Sequence, residues 1–117
     1  MARRDIIGII VDIREKSTRH LPIDNSLIPF DLIFKVGLAH ASDENLSVKS
    51  LFADLPHSAM GMRYHLNRLL DNGWIEMLPS PSDRRSKIVR PTEKLLDRLY
   101  ILSAEMKYLL PKNLESS

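Results

Sequence analysis

Pro56 divides the middle of the chain in two, and the two pieces fit only a few architectures. On its N-terminal side Val48, Leu51, Phe52 and Leu55 recur at helical intervals, with Ser47 placed to cap the segment. Proline has no amide hydrogen to donate and ends that helix. Beyond it, AMGMRYHLNRLLDNG puts Ala59, Met62, Leu66, Leu69 and Leu70 on one face. His57, Met60, Gly61, Tyr64, Asn67 and Arg68 share the opposite face, with Arg63 at its margin. His57 or Ser58 stands at the N-cap, and Gly73 lies just past the end. Two short helices joined by a tight turn over about 46–72 predict a helix-turn-helix with a polar and aromatic outer face.

The segment C-terminal to Gly73 narrows the fold further. Residues 74–78 (WIEML) and 86–90 (SKIVR) are extended and apolar in character, and a proline-rich loop containing PSPSDRR separates them. A hairpin over about 74–91, directly after a helix-turn-helix, predicts a wing. Thr92 caps a last helix that runs to Pro111, and KNLESS reads as a frayed tail. Upstream, Ile6, Ile10 and Ile13 share a face of a helix over about 2–17, which the turn chemistry of STRHLPIDNS ends. A second, largely buried helix begins after Pro29, and SDEN at 42–45 is a turn. The expected fold is mainly α with a small β-hairpin: one winged helix-turn-helix domain, 1–117, with extra N- and C-terminal helices.

Charge distribution says more than net charge, which is only +2. Residues 1–56 carry seven Lys/Arg against eight Asp/Glu, and residues 91–117 carry four of each. The middle segment, 57–90, carries Arg63, Arg68, Arg84, Arg85, Lys87 and Arg90 against Asp71, Glu76 and Asp83. The whole cationic excess lies in the helix-turn-helix and wing, where it suits a polyanion.

These residues resemble the MarR family of winged-helix transcriptional regulators. The family favours a glycine, two apolar residues, a proline-containing loop, then D-x-R and a Leu-Thr. This chain has Gly73-Trp74-Ile75, Pro79-Ser80-Pro81, Asp83-Arg84-Arg85 and Thr92 at the matching distances. The likeness covers roughly 44–95; Pro91 replaces the usual leucine, and Leu95 a frequent glycine. The resemblance implies a dimeric regulator of double-stranded DNA, with the second helix of the motif in the major groove. It also implies a wing arginine in the minor groove, matched by Arg85, and an aspartate that orients it, matched by Asp83.

The residues support that reading on physical grounds. A hairpin tip can carry a guanidinium into a narrow groove, where negative potential favours arginine. Pro79 and Pro81 restrict the free loop, so less entropy is lost on docking. A helix fits the ~12 Å-wide major groove. The candidate DNA-binding residues are Ser58, Met60, Gly61, Arg63, Tyr64, Asn67, Arg68, Arg84, Arg85, Ser86 and Lys87, with Asp83 fixing the arginine's geometry. Arg63, Tyr64, Asn67 and Arg68 can donate to phosphates or base edges, and Gly61 would permit close approach.

The terminal helices point to a partner copy. Ile6, Ile10 and Ile13, with the heptad-like seam Leu95, Leu99, Leu102, Met106 and Leu109, exceed what one small domain can cover. A two-fold homodimer would set two recognition helices ~34 Å apart, one turn of DNA. A small-molecule effector between the helix-turn-helix and the dimer helices is plausible by family analogy, with no residue constellation to identify it.

Other chemistries find little support. The absence of cysteine excludes disulfides and thiolate metal sites. His20, His40, His57 and His65 lack metal-ligand spacing, and no nucleophile motif or phosphate-cradling loop occurs, so neither an enzyme nor a metal or other cofactor is expected. Asp5, Asp12 and Glu15 interrupt the apolar N-terminus, which argues against a leader, and no run is long enough to span a bilayer; a cytoplasmic protein is expected. The rival function is a winged-helix protein-interaction module without DNA-binding activity, which need not place cations on its wing.

Overall fold

The computed structural model describes residues 3–24 and 26–108. The elements run α1 (Arg3–His20), α2 (Leu27–Ala41), β1 (Leu46–Ser47), α3 (Val48–Ala53), α4 (Ala59–Asp71), β2 (Ile75–Pro79), β3 (Lys87–Pro91) and α5 (Glu93–Lys107). The result is a mainly helical winged helix-turn-helix with a small antiparallel sheet. Leu109, Pro111 and the KNLESS tail lie outside the described residues.

Helix starts follow their local chemistry. The hydroxyls of Ser47, Ser58 and Thr92 accept from the amides of Ser50, Gly61 and Leu95, so α3, α4 and α5 begin where the sequence predicts. At the far end of α4, Gly73 has φ +76, a conformation that costs an L-residue roughly 1–2 kcal/mol. Its N–H donates to the Leu70 carbonyl, and the Trp74 N–H donates to that of Leu69. This paired closure ends the helix and turns the chain into β2.

Three boundaries differ from expectation, the smallest being α3, which ends at Ala53 with Asp54 as its cap, short of the expected Leu55. Helix α1 runs on through the Ser-Thr-Arg-His stretch that reads as a turn. Ser17 donates to the Ile13 carbonyl at 2.7 Å and Thr18 to that of Arg14 at 3.0 Å, so both hydroxyls bond along the helix instead of breaking it. Helix α2 starts before Pro29, capped by Ser26; proline fits its first turn because those amides have no intrahelical partner.

The sheet has three strands in the order β1-β3-β2, not two. In the wing hairpin Ile75 pairs with Pro91 and Pro79 with Lys87. On the other side Leu46 pairs with Val89, and Ser47 with Ile88. This short strand roots the wing on the start of the helix-turn-helix.

Helix α2 is the centre of the core. Its Leu32, Ile33 and Val36 are buried with Leu51 of α3, Leu66 and Leu69 of α4, Ile75 and Val89 of the sheet, and Leu95 and Leu102 of α5. Here the expected dimer seam needs correction. Leu95 and Leu102 are 0% and 2% exposed, so they hold α5 to its own domain and offer nothing to a second chain. Leu99 and Met106 are half-buried against the same core, as Ile13 is half-buried on α1. Leu95, where the related pattern often has glycine, fills core volume.

Candidate nucleic-acid interface

The outer face of α4 is open along its length. Ser58, Met60, Arg63, Tyr64, Asn67 and Arg68 are all exposed, and Met60 reaches 84%. So much exposed thioether on a helix otherwise anchored by Met62, Leu66 and Leu69 marks a surface that can accept a partner. Ala59, expected on the core face, is exposed at the first turn.

The cations of this face are held in place. Arg68 donates to the Tyr64 hydroxyl at 3.2 Å and lies 5.8 Å from that ring's centroid. This hydrogen bond holds the guanidinium's pKa above its ordinary value. Asp24, at φ +45 in the α1–α2 loop, approaches the same guanidinium at 4.0 Å. Arg63 lies 5.9 Å from the Phe52 ring of α3. Both arginines therefore extend along the surface with their donors partly free.

Gly61 also has a packing role that its sequence position does not reveal. It is half-buried, and a Cβ there would meet Ile28 Cδ1 and Ser58 Oγ, each at 3.0 Å. Glycine at this position lets α4 close on α2 and keeps its own cap.

The wing loop is pinned by its own polar groups. The Ser80 N–H donates to the Ser86 carbonyl at 2.9 Å and closes the loop. Ser80 and Ser82 share a hydrogen bond between hydroxyls at 3.1 Å, and the Ser86 N–H reaches the Asp83 carbonyl at 3.0 Å. Asp83 accepts from the Arg85 main-chain N–H at 3.0 Å. It thus shapes the arginine's backbone, and among the described residues no ion pair joins the two side chains. Arg84, Arg85, Ser86 and Lys87 are all exposed on this loop.

Several structural contacts carry no local sequence signal. His57, expected on the outward face, turns inward: its Nε2 lies 2.6 Å from Asp31 Oδ2 of α2. Lys94 of α5 sits 4.1 Å from the Trp74 ring centroid and donates to the Asn72 carbonyl at 3.1 Å. His20 at the end of α1 meets Glu105 of α5 at 2.9 Å, with Lys16 at 3.6 Å. These pairs join elements far apart in the chain, and only the folded chain brings them together.

A groove of about 390 Å³ lies between α1 and α2, lined by Ile10, Ile13, Ile23, Leu27 and Phe30 with Arg14 as its cation. No helix among the described residues is long and apolar enough to cross a membrane.

The fold is a MarR-like winged helix. No family model matches the chain, and no curated protein matches it. Solved structures do. A transcriptional regulator, PA4135, is similar over 91% of this chain and 73% of its own, at 17% identity and a TM-score of 0.62. Wild-type apo MarR from E. coli is similar over 97% of this chain and 87% of its own, at 20% identity and a TM-score of 0.58. The transcriptional repressor CouR, bound to a 23-mer DNA duplex, is similar over 92% of this chain and 68% of its own, at 20% identity and a TM-score of 0.57.

Proposed function

We propose that this chain is one winged-helix domain acting as a sequence-specific regulator of transcription on double-stranded DNA. The carrying observation is the open outer face of α4, with Met60, Tyr64, Asn67 and Arg68 exposed on a helix whose other side is locked into the core. Met60 and Tyr64 give this surface apolar area for base methyls and sugars, and Asn67 and Arg68 give it donors for base edges or phosphates. The pinned loop adds Arg84, Arg85 and Lys87, with Arg85 directed to the minor groove. Transcriptional regulators of the same fold, one of them bound to duplex DNA, support the reading. None of this calls for an enzymatic group, and we assign the protein to the cytoplasm.

The working unit on this reading is a homodimer. Ile6, Ile7, Ile10 and Val11 of α1, Tyr100 and Ile101 of α5, and Tyr108 at the C-cap of α5 remain exposed after the core is complete. They replace the buried Leu95 and Leu102 as the partner-facing residues. An effector, where one acts, would enter the α1–α2 groove with its apolar body against Ile23 and Phe30.

Selection of bound duplexes from a random pool tests the proposal. A near-palindromic site is expected, with affinity falling as salt rises by a log–log slope of about −0.9 per neutralised phosphate. Arg85→Ala should weaken binding by about 1 kcal/mol. A chain that retains no duplex at any salt concentration would sink the DNA reading and favour a protein-interaction module.

A further inference from the structure

We propose that Asp31 and His57 are positioning residues that set the angle of the recognition helix α4, an inference that rests on the DNA-binding reading above. His57 lies in the turn between α3 and α4, immediately before the cap Ser58, and it approaches Asp31 at 2.6 Å. The His57 and Asp31 side chains are only 14% and 28% exposed, so little water competes with the bond. Charged hydrogen bonds with restricted solvent are stronger and more directional than exposed ones.

The same face of α2 holds the other end of that turn. Lys35, one helical turn beyond Asp31, donates to Asp54 Oδ2 at 3.0 Å and to the Ser50 carbonyl at 3.3 Å. An acid on α2 thus faces a base at the start of α4, and a base on α2 faces an acid at the end of α3. Between the two contacts lie Leu55 and Pro56, which make no comparable tie to α2 by hydrogen bond among the described residues. Below them, Ile28 Cδ1 occupies the space over Gly61 and sets how closely the first turn of α4 can approach. Helix α2 therefore fixes the distance with Gly61 and Ile28, and the tilt with Asp31 and His57.

Neither Asp31 nor His57 is placed to touch DNA in this reading, so their effect acts through α4. Base edges are read only at correct helix alignment, whereas phosphate attraction tolerates small rotations. Loosening the pair should lower specific binding and leave non-specific binding intact.

The test compares wild type, Asp31→Asn, His57→Ala and His57→Gln on the duplex selected by the wild-type chain and on a random-sequence duplex of equal length. It is run at a temperature where circular dichroism shows every variant folded. His57→Ala should lower the specific-to-non-specific ratio by about tenfold, and Asp31→Asn, whose amide oxygen still accepts but carries no charge, should lower it by a smaller factor. His57→Gln, which keeps a donor near the Nε2 position, should recover most of the loss. The salt slope on the random duplex should be unchanged.

A ratio that stays at the wild-type value in both Asp31→Asn and His57→Ala overturns the proposal while leaving DNA binding in place. So does a parallel fall on both duplexes, which would mean general loss of structure. A wild-type chain that binds neither duplex overturns the DNA reading itself and this inference with it. Where Asp31→Asn does not fold, the His57→Ala and His57→Gln pair decides alone.

Discussion

The Asp83 carboxylate accepts a hydrogen bond from the main-chain N–H of Arg85 at 3.0 Å, across a turn that the Ser86 N–H closes onto the Asp83 carbonyl. An acid at the tip of a cationic hairpin repels phosphate if it faces DNA. Bonded to the backbone, it fixes the turn while both arginine side chains stay exposed. The energy of the contact is spent on shape.

Asp83→Ala should therefore loosen the tip without weakening the domain. The Arg85 and Ser86 amides are expected to exchange with solvent at least several-fold faster, with the melting temperature unchanged. Asp83→Asn, which keeps the acceptor, should restore slow exchange. Identical exchange in wild type and the alanine variant would show that Asp83 does not shape the turn.

Glu105 predicts a pH dependence. Its hydrogen bond with His20 holds the carboxyl below its ordinary value, with Lys16 adding to the effect. A depressed folded-state pKa means stability that is fully present above the unfolded value, about 4.3 for glutamate, and lost as pH falls through the folded one. Urea unfolding should show wild type more stable than Glu105→Gln near neutrality, the difference fading below about pH 4. The Glu105 side chain is 34% exposed, so the difference is small and shrinks with salt. A gap that widens on acidification would contradict the pairing.

Two helical glycines should respond oppositely to alanine. Around Gly8 on α1 a new Cβ meets nothing within 4 Å, so Gly8→Ala should stabilise by about 0.5–1 kcal/mol. At Gly61 the Cβ meets Ile28 and the capping Ser58 at 3.0 Å, so Gly61→Ala should cost about 1 kcal/mol despite better helix propensity. Equal stabilisation at both sites, read from denaturant midpoints, would mean that α2 and α4 are not in close contact there.

Core and partner surfaces should separate in mutational tests. Leu102→Ala opens a cavity under α5 and should cost about 2–4 kcal/mol with no direct change in the α1 surface. Ile10→Glu lies on exposed surface of α1 and should leave each folded chain about as stable while shifting sedimentation toward a 13.4 kDa species. A wild-type chain that already sediments at that mass at micromolar concentration would remove the homodimer.

The parts of this fold legible in its amino-acid order are those decided within a few residues. Ser47, Ser58 and Thr92 each satisfy an amide three positions on, and Gly73 supplies the one positive φ that ends α4, so helix starts and the hairpin could be placed from local chemistry alone. Helical periodicity likewise marked which face of α4 meets the core through Met62, Leu66 and Leu69. Tertiary structure decided the rest. Periodicity shows that Leu95 and Leu102 are apolar together, yet whether they cover α2 or a second chain depends on what lies opposite. The two-residue β1 exists only because Val89 and Ile88 are beside it, and His57 turns inward only because Asp31 is there to meet it. A cap is a bond between near neighbours, whereas a strand pairing, a half-buried hydrogen bond between distant side chains and an interface each need a partner that local sequence does not specify.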